Sequence, residues 1–355
     1  MSRHVIFFVH GVGDDAQGWS KDLRKGFQAL FDAYPLPAGG RPFDQQFETV
    51  EVLYNDFFDG WRTRVAAEAN AALQLFAAGG MPSAAVGRLL QAGAAAGGGG
   101  FLRTHALDVA QYRFLALVAD AIRDAIQHAI MSRLVENDFG VPVRWSIIGH
   151  SLGTIALHDT LHQMFKPGPG AEESGQFQPY AVLMLANVSQ LLHDSEFLGA
   201  GVDAYGSAVR PNREPELGAC RYYLSAANRL DPVSIAGAFS PPEGWLTPEA
   251  KTQRRFRPLE FRALPSSLNV HGYKEYLAHP AVHVPLFRIL TGDPDWISDA
   301  AENAAHAAYD AANPLPDPAD AARAAIEGLG RRAGLDDWFE RVSMWKEVLE
   351  RFANR

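Results

Sequence analysis

The 355-residue sequence predicts an α/β protein, a mostly parallel six-stranded sheet with helices on both faces. Two observations carry that expectation. Short apolar, β-branched or aromatic runs alternate with segments long enough for helices, the pattern of parallel strands joined by crossovers. One of those runs, "VRWSII", passes directly through Gly149-His150-Ser151-Leu152-Gly153 into a helix-like stretch carrying Ile155, Ala156 and Leu161.

Taken in order, the strands are expected at residues 5–9, 47–53, 143–148, 181–185, 221–224 and 259–263. Between the second and third lies a helical insertion, residues 57–140. Its later part spaces Leu107, Phe114, Val118, Ile122, Ile126, Ile130 and Leu134 mostly four apart, one stripe of an amphipathic helix. Its earlier part, residues 75–101, sets "AAGG" and "AGAAAGGGG" around Leu89 and Leu90. That composition fits either a glycine-hinged lid or a surface loop with no role in catalysis. Residues 1–295 thus form one domain, and 296–355 a helical C-terminal extension that passes through "NPLPDP". The final helix of that extension lines up Leu335, Trp338, Val342, Trp345, Leu349 and Phe352. Such a stripe packs against the body or against a second copy in a homo-oligomer, with membrane contact as the alternative.

Composition narrows the function classes. The chain is 47% hydrophobic and 21% charged, ordinary for a soluble globular protein. A net charge of -9 with no Lys/Arg block argues against a nucleic-acid partner. The single cysteine, Cys220, excludes an internal disulfide framework and fits a reducing compartment. The N-terminal apolar run is too short for a signal-peptide core, and no segment reads as transmembrane. The expected location is cytoplasmic, with signal-less export left open.

The strand–turn–helix context gives Gly149-x-Ser151-x-Gly153 a chemical meaning. A turn this tight holds its central residue in a strained conformation and lifts Ser151 clear of the sheet, while the flanking glycines remove side chains that would collide. At the helix N-terminus the N–H of Leu152 is placed to meet a developing oxyanion. A serine needs an imidazole to take its proton, and the imidazole needs a carboxylate. Asp231, in the polar "NRLDP" after the fifth strand, is the favoured carboxylate, with Asp203 and Asp194 behind it. After the last strand the base is His271, His279 or His283, and loop placement favours His271. The first strand ends at His10-Gly11, a turn that offers the N–H of Val12 as a second oxyanion donor and leaves His10 structural. Trp19 either lines an acyl pocket or packs a helix.

Together, His10-Gly11-Val12-Gly13, the Gly149–Gly153 elbow, Asp231 and His271 resemble the α/β-hydrolase fold, and within it the serine lipases and esterases. Tyr273, two residues after His271, also matches that pattern. The resemblance implies a reduced six-stranded form and a Ser-His-Asp hydrolase that needs no metal or cofactor and takes a small-molecule or lipid ester. Thioester or amide cleavage uses the same groups, and a catalytically silent binding protein on this fold is the reading from a different class. One rival motif is His158-Asp159-Thr160-Leu161-His162, two histidines four apart on a helix as in zinc proteases. It lacks the glutamate such a site requires.

Overall fold

The computed structural model describes residues 3–11, 17–36, 40–54, 112, 116–135, 143–165, 177–190, 209–212, 218–231, 233–234, 239–241, 245, 255–266 and 269–314. Segment 75–101, Val12, and the stripe from Leu335 to Phe352 lie outside these residues.

Six strands, β1 (His4–Val9), β2 (Phe47–Val52), β3 (Trp145–His150), β4 (Ala181–Leu185), β5 (Tyr222–Asn228) and β6 (Phe256–Phe261), form one sheet in the order β2-β1-β3-β4-β5-β6. Every pairing is parallel. From β1 the chain crosses to β2 on one side, then returns to β3 on the other. The loops leaving β1 and β3 therefore diverge, and the carboxyl ends of these two strands open on a crevice.

Side chains alternate across the sheet because the strand period is two. On one face Val5, Phe7, Val9, Trp145, Ile147, Val182 and Met184 pack under α3 (Ala116–Val135) and α4 (Leu152–Phe165). The expected stripe supplies Ile122, Ile126, Ile130 and Leu134, all buried, to that layer. On the other face Ile6, Phe8, Ile148, Leu183, Leu185 and Leu224 pack under α1 (Lys21–Asp32) and α6 (Pro280–Thr291). Each such side chain taken fully out of water contributes about 1.5–3 kcal/mol. A short helix, α2 (Phe43–Gln46), leads into β2, α5 (Tyr273–Ala278) precedes α6, and α7 (Asp299–Ala312) follows it. Trp296 and Ile297 join the second layer ahead of α7, and the Trp296 indole N–H bonds the Pro35 carbonyl at 2.7 Å. No helix among the described residues is long and apolar enough to cross a membrane.

Three strands differ from expectation by two residues or more. β3 runs over Trp145–His150 rather than 143–148, because Gly149 and His150 still pair with neighbouring strands. β5 continues to Asn228, through residues whose small or polar side chains give no strand signal. They are held by pairing with β6 and by Asn228, whose side chain bonds the Ala263 carbonyl (2.8 Å) and accepts the Ala263 N–H (3.1 Å). β6 begins at Phe256, across Arg257 and Pro258. It is the edge of the sheet, where a missing N–H is tolerated.

Three histidines are built into the helical layer and sheet. His4 has Nε2 2.8 Å from Ser146 Oγ. His279 caps α6 by accepting the Ala281 N–H and stacks on Phe261. His283 donates Nδ1–H to the Leu277 carbonyl (3.0 Å), which leaves Nε2 to accept from the Tyr34 hydroxyl (2.8 Å). Burial pushes these imidazoles down to about 3, about 3 and about 4 respectively. In the unfolded chain they take a proton near the ordinary value of about 6.5. A folded-state value lowered in this way means the unfolded state binds more protons, so stability is lost as pH falls from about 6.5 toward about 4. Urea unfolding at about pH 5 should show a lower midpoint than at about pH 7.5. Equal midpoints would show these histidines to be solvated.

Candidate active site

β3 ends at His150 and α4 begins at Leu152, so the whole change of direction falls on Ser151. Its φ is 54°, the left-handed region that a residue with a Cβ enters at a cost of about 1–3 kcal/mol. The surroundings hold it there. The Ser151 N–H donates to the Leu185 carbonyl of β4 at 3.0 Å. The Ser151 carbonyl accepts from the Thr154 N–H (2.8 Å) and hydroxyl (2.6 Å), and Thr154 Oγ1 in turn accepts the Val188 N–H at 3.1 Å. A Cβ on Gly153 would run into the His10 carbonyl oxygen, and one on Gly11 would lie 2.8 Å from Ser151 Cβ. The turn after β1 is therefore pressed against the elbow. Leu152, as the first residue of α4, has no helical acceptor for its N–H.

Ser151, His271 and Asp231 meet in a line of hydrogen bonds. His271 Nε2 is 2.8 Å from Ser151 Oγ, and Nδ1 is 2.8 Å from Asp231 Oδ2. All three residues are buried, Asp231 completely. A carboxylate only accepts, so Nδ1 carries the hydrogen and Nε2 faces the serine as an acceptor. Asp231 follows the end of β5, and its Oδ1 accepts the Val233 N–H at 3.0 Å. Asp194 and Asp203 lie outside the described residues. His279 and His283 bond elsewhere, in the helical layer.

Further residues surround this line, and of these His150, Tyr54 and Tyr276 carried no signal in the sequence. His150 donates Nε2–H to the His271 carbonyl (2.7 Å) and stacks on Tyr273 at 5.0 Å. The Tyr273 hydroxyl bonds the Ile148 carbonyl (2.7 Å), and Tyr276 reaches Asp231 Oδ2 (2.7 Å). Tyr273 already matched the family pattern two residues past His271, whereas only a spacing of five could have pointed to Tyr276. His10 stacks on Tyr54 at 4.1 Å and donates Nδ1–H to the Gly11 carbonyl at 2.6 Å. Burial lowers its imidazole to about 4. The Tyr54 hydroxyl bonds the carbonyls of His10 and Gly11. The half-buried Trp19 ring lies 5.2 Å from His10 and 5.8 Å from Tyr273. His158 and His162 stack along α4 at 6.5 Å, with His158 Nδ1 3.6 Å from Asp159. Among the described residues no group of three or more His, Cys, Asp or Glu side chains is arranged to hold a metal ion.

No protein-family model, curated protein or solved structure matches this chain.

The contact between the elbow and the β1 turn is testable. Gly153→Ala should destabilise the fold by about 1–3 kcal/mol, the cost of overpacking against a backbone carbonyl, seen as a lowered urea midpoint. An unchanged midpoint would mean that His10 and Gly153 are not in contact.

Proposed function

We propose that the chain is a serine hydrolase of the α/β-hydrolase fold that cleaves carboxylic esters through an acyl-enzyme. The observation that carries this reading is the hydrogen-bonded line from Ser151 Oγ through the His271 ring to Asp231, with the serine in a left-handed conformation at a helix N-terminus. The parallel sheet order and the position of the elbow at the strand-order reversal support it.

Ser151 Oγ attacks the ester carbonyl as its proton passes to His271 Nε2. Asp231 stabilises the imidazolium and keeps the ring in the reactive tautomer. The oxyanion of the tetrahedral intermediate is met by the Leu152 N–H, in the positive field of the α4 terminus, and by the amide of Val12. His271 then gives its proton to the departing alcohol. Water repeats the sequence on the acyl-Ser151 ester, with His271 taking its proton and returning it to Ser151 Oγ as the C–Oγ bond breaks and the acid is released. Trp19, beside His10 and Tyr273, is assigned to the acyl-binding wall.

A fluorophosphonate probe should label the wild-type chain, and Ser151→Ala should remove both labelling and ester hydrolysis while staying folded. Retention of activity within about tenfold, little more than 1 kcal/mol of barrier, would overturn the mechanism.

Asp231→Asn should lower kcat by about 10⁴, because an amide at this position favours the wrong imidazole tautomer. His279→Ala and His283→Ala should cost stability rather than turnover of the folded enzyme. If steady-state kinetics show His279→Ala to be the dead variant, the base is misassigned.

A further inference from the structure

Asp231 Oδ2 receives two donors. One is His271 Nδ1–H at 2.8 Å; the other is the Tyr276 hydroxyl at 2.7 Å. The direction of the second bond is fixed by the rest of the phenol's surroundings. Tyr276 Oη accepts the backbone N–H of Asn228 at 3.1 Å, so its own hydrogen is available to Asp231. Tyr276 is 1% exposed, and burial followed by the Asp231 charge holds its phenol well above the usual range. It therefore remains a donor across the whole working pH range.

We propose that Tyr276 is a positioning residue whose hydroxyl, by sharing Oδ2 with the imidazole N–H, sets how strongly Asp231 holds the imidazolium formed when Ser151 gives up its proton. This rests on the hydrolase reading above. A carboxylate oxygen that already accepts one strong hydrogen bond has less charge to offer a second donor, and in a buried site that division is not diluted by solvent. The titratable and polar side chains around His271, Asp231 and Tyr276 include His150 from β3, Ser151 from the elbow, Ser234 just after β5, and Tyr273 and Tyr276 from α5; the Ser234 hydroxyl bonds the Tyr276 phenol and the carbonyls of Asn228 and Asp231. Among these described groups the hydroxyl that bonds the carboxylate is that of Tyr276. Tyr273 spends its hydroxyl on a backbone carbonyl, that of Ile148, so the two tyrosines separate packing from charge. Tyr276 touches no substrate and takes up no proton. Its hydroxyl also ties α5 to β5 through Asn228, a positional role that Tyr273 shares through Ile148, so the comparison of the two tyrosines isolates the bond to Asp231.

The experiment compares the pH profiles of kcat/KM for ester hydrolysis by the full chain and by Tyr276→Phe and Tyr273→Phe. Removing the Tyr276 donor returns charge to Oδ2, the carboxylate holds the proton on the imidazole more firmly, and the neutral base appears only at higher pH. The acid limb should move up by on the order of half a pH unit in Tyr276→Phe and stay in place in Tyr273→Phe. A fluorinated tyrosine installed at 276, of nearly the same size but a stronger donor, should move the limb the other way, which keeps the question open to test if the phenylalanine variant fails to fold. A limb that moves in neither Tyr276 variant, or moves equally in Tyr273→Phe, overturns the proposal. If the wild type neither hydrolyses esters nor labels, the hydrolase reading is what fails. The role of Tyr276 is then decided by the NMR resonance of the His271 Nδ1 proton, which needs no turnover. It should move downfield in Tyr276→Phe as its bond to Oδ2 strengthens, and a stationary resonance overturns the proposal.

Discussion

The carboxyl edge of the sheet depends on one close approach, the His10 carbonyl against Gly153. Because Gly153 has no side chain, the end of β1 can lie against the first turn of α4. Because it lies there, Ser151 is confined between Gly11 on one side and the Leu185 carbonyl on the other. The left-handed Ser151 backbone is thus over-determined by neighbours on β1 and β4 and by Thr154 of its own helix. Strain of about 1–3 kcal/mol persists in a fold only under such conditions. The same packing puts the β1 turn and the α4 N-terminus next to one another, which is where a reaction at Ser151 would need its hydrogen-bond donors.

How much of this was legible in the sequence depended on whether the signal was local. β1, β3 and β4 are buried on both faces and carry apolar runs, so their presence was clear, although β3 lies two residues later than its run suggested. The elbow was clear because its two glycines and its serine act within five residues. The ends of β5 and β6 were not. Ser225 and Asn228 look like loop residues until β6 and Ala263 supply their partners, and Pro258 looks like a breaker until β6 proves to be an edge. Order and loop placement singled out Ser151, Asp231 and His271, which the structure brings within hydrogen-bond distance of one another. His150, Tyr54 and Tyr276 were not singled out, because each acts through a backbone carbonyl or carboxylate at least 43 positions away.

The histidines show why residue type alone settles little. His4, His10, His279 and His283 are all buried, and in each the loss of hydration outweighs every other influence and keeps the ring uncharged. Their bonds run to neutral partners: a serine, backbone groups, a tyrosine. His271 differs in facing a buried carboxylate through Nδ1 and a serine through Nε2. Since all five rings are buried, the partners are what set His271 apart from a ring that caps a helix or braces the core.

The placement of that ring is set by a helix of only six residues. α5 begins two positions after His271, and its first turn presents Tyr273 and Tyr276 three apart, on neighbouring sites of one face. One hydroxyl is tied to Ile148 on β3, the strand that delivers Ser151. The other is tied to Asn228 and Asp231 at the end of β5. Between these strands lies β4 alone, so the two ties fix α5 relative to both partners of the imidazole at once. His150 adds a third tie, through the His271 carbonyl itself. A displacement of about 1 Å is enough to cost a positioned catalytic group on the order of a hundredfold in rate. Three hydrogen bonds from rigid strands to one short segment are therefore a proportionate means of holding His271 within reach of both Ser151 and Asp231.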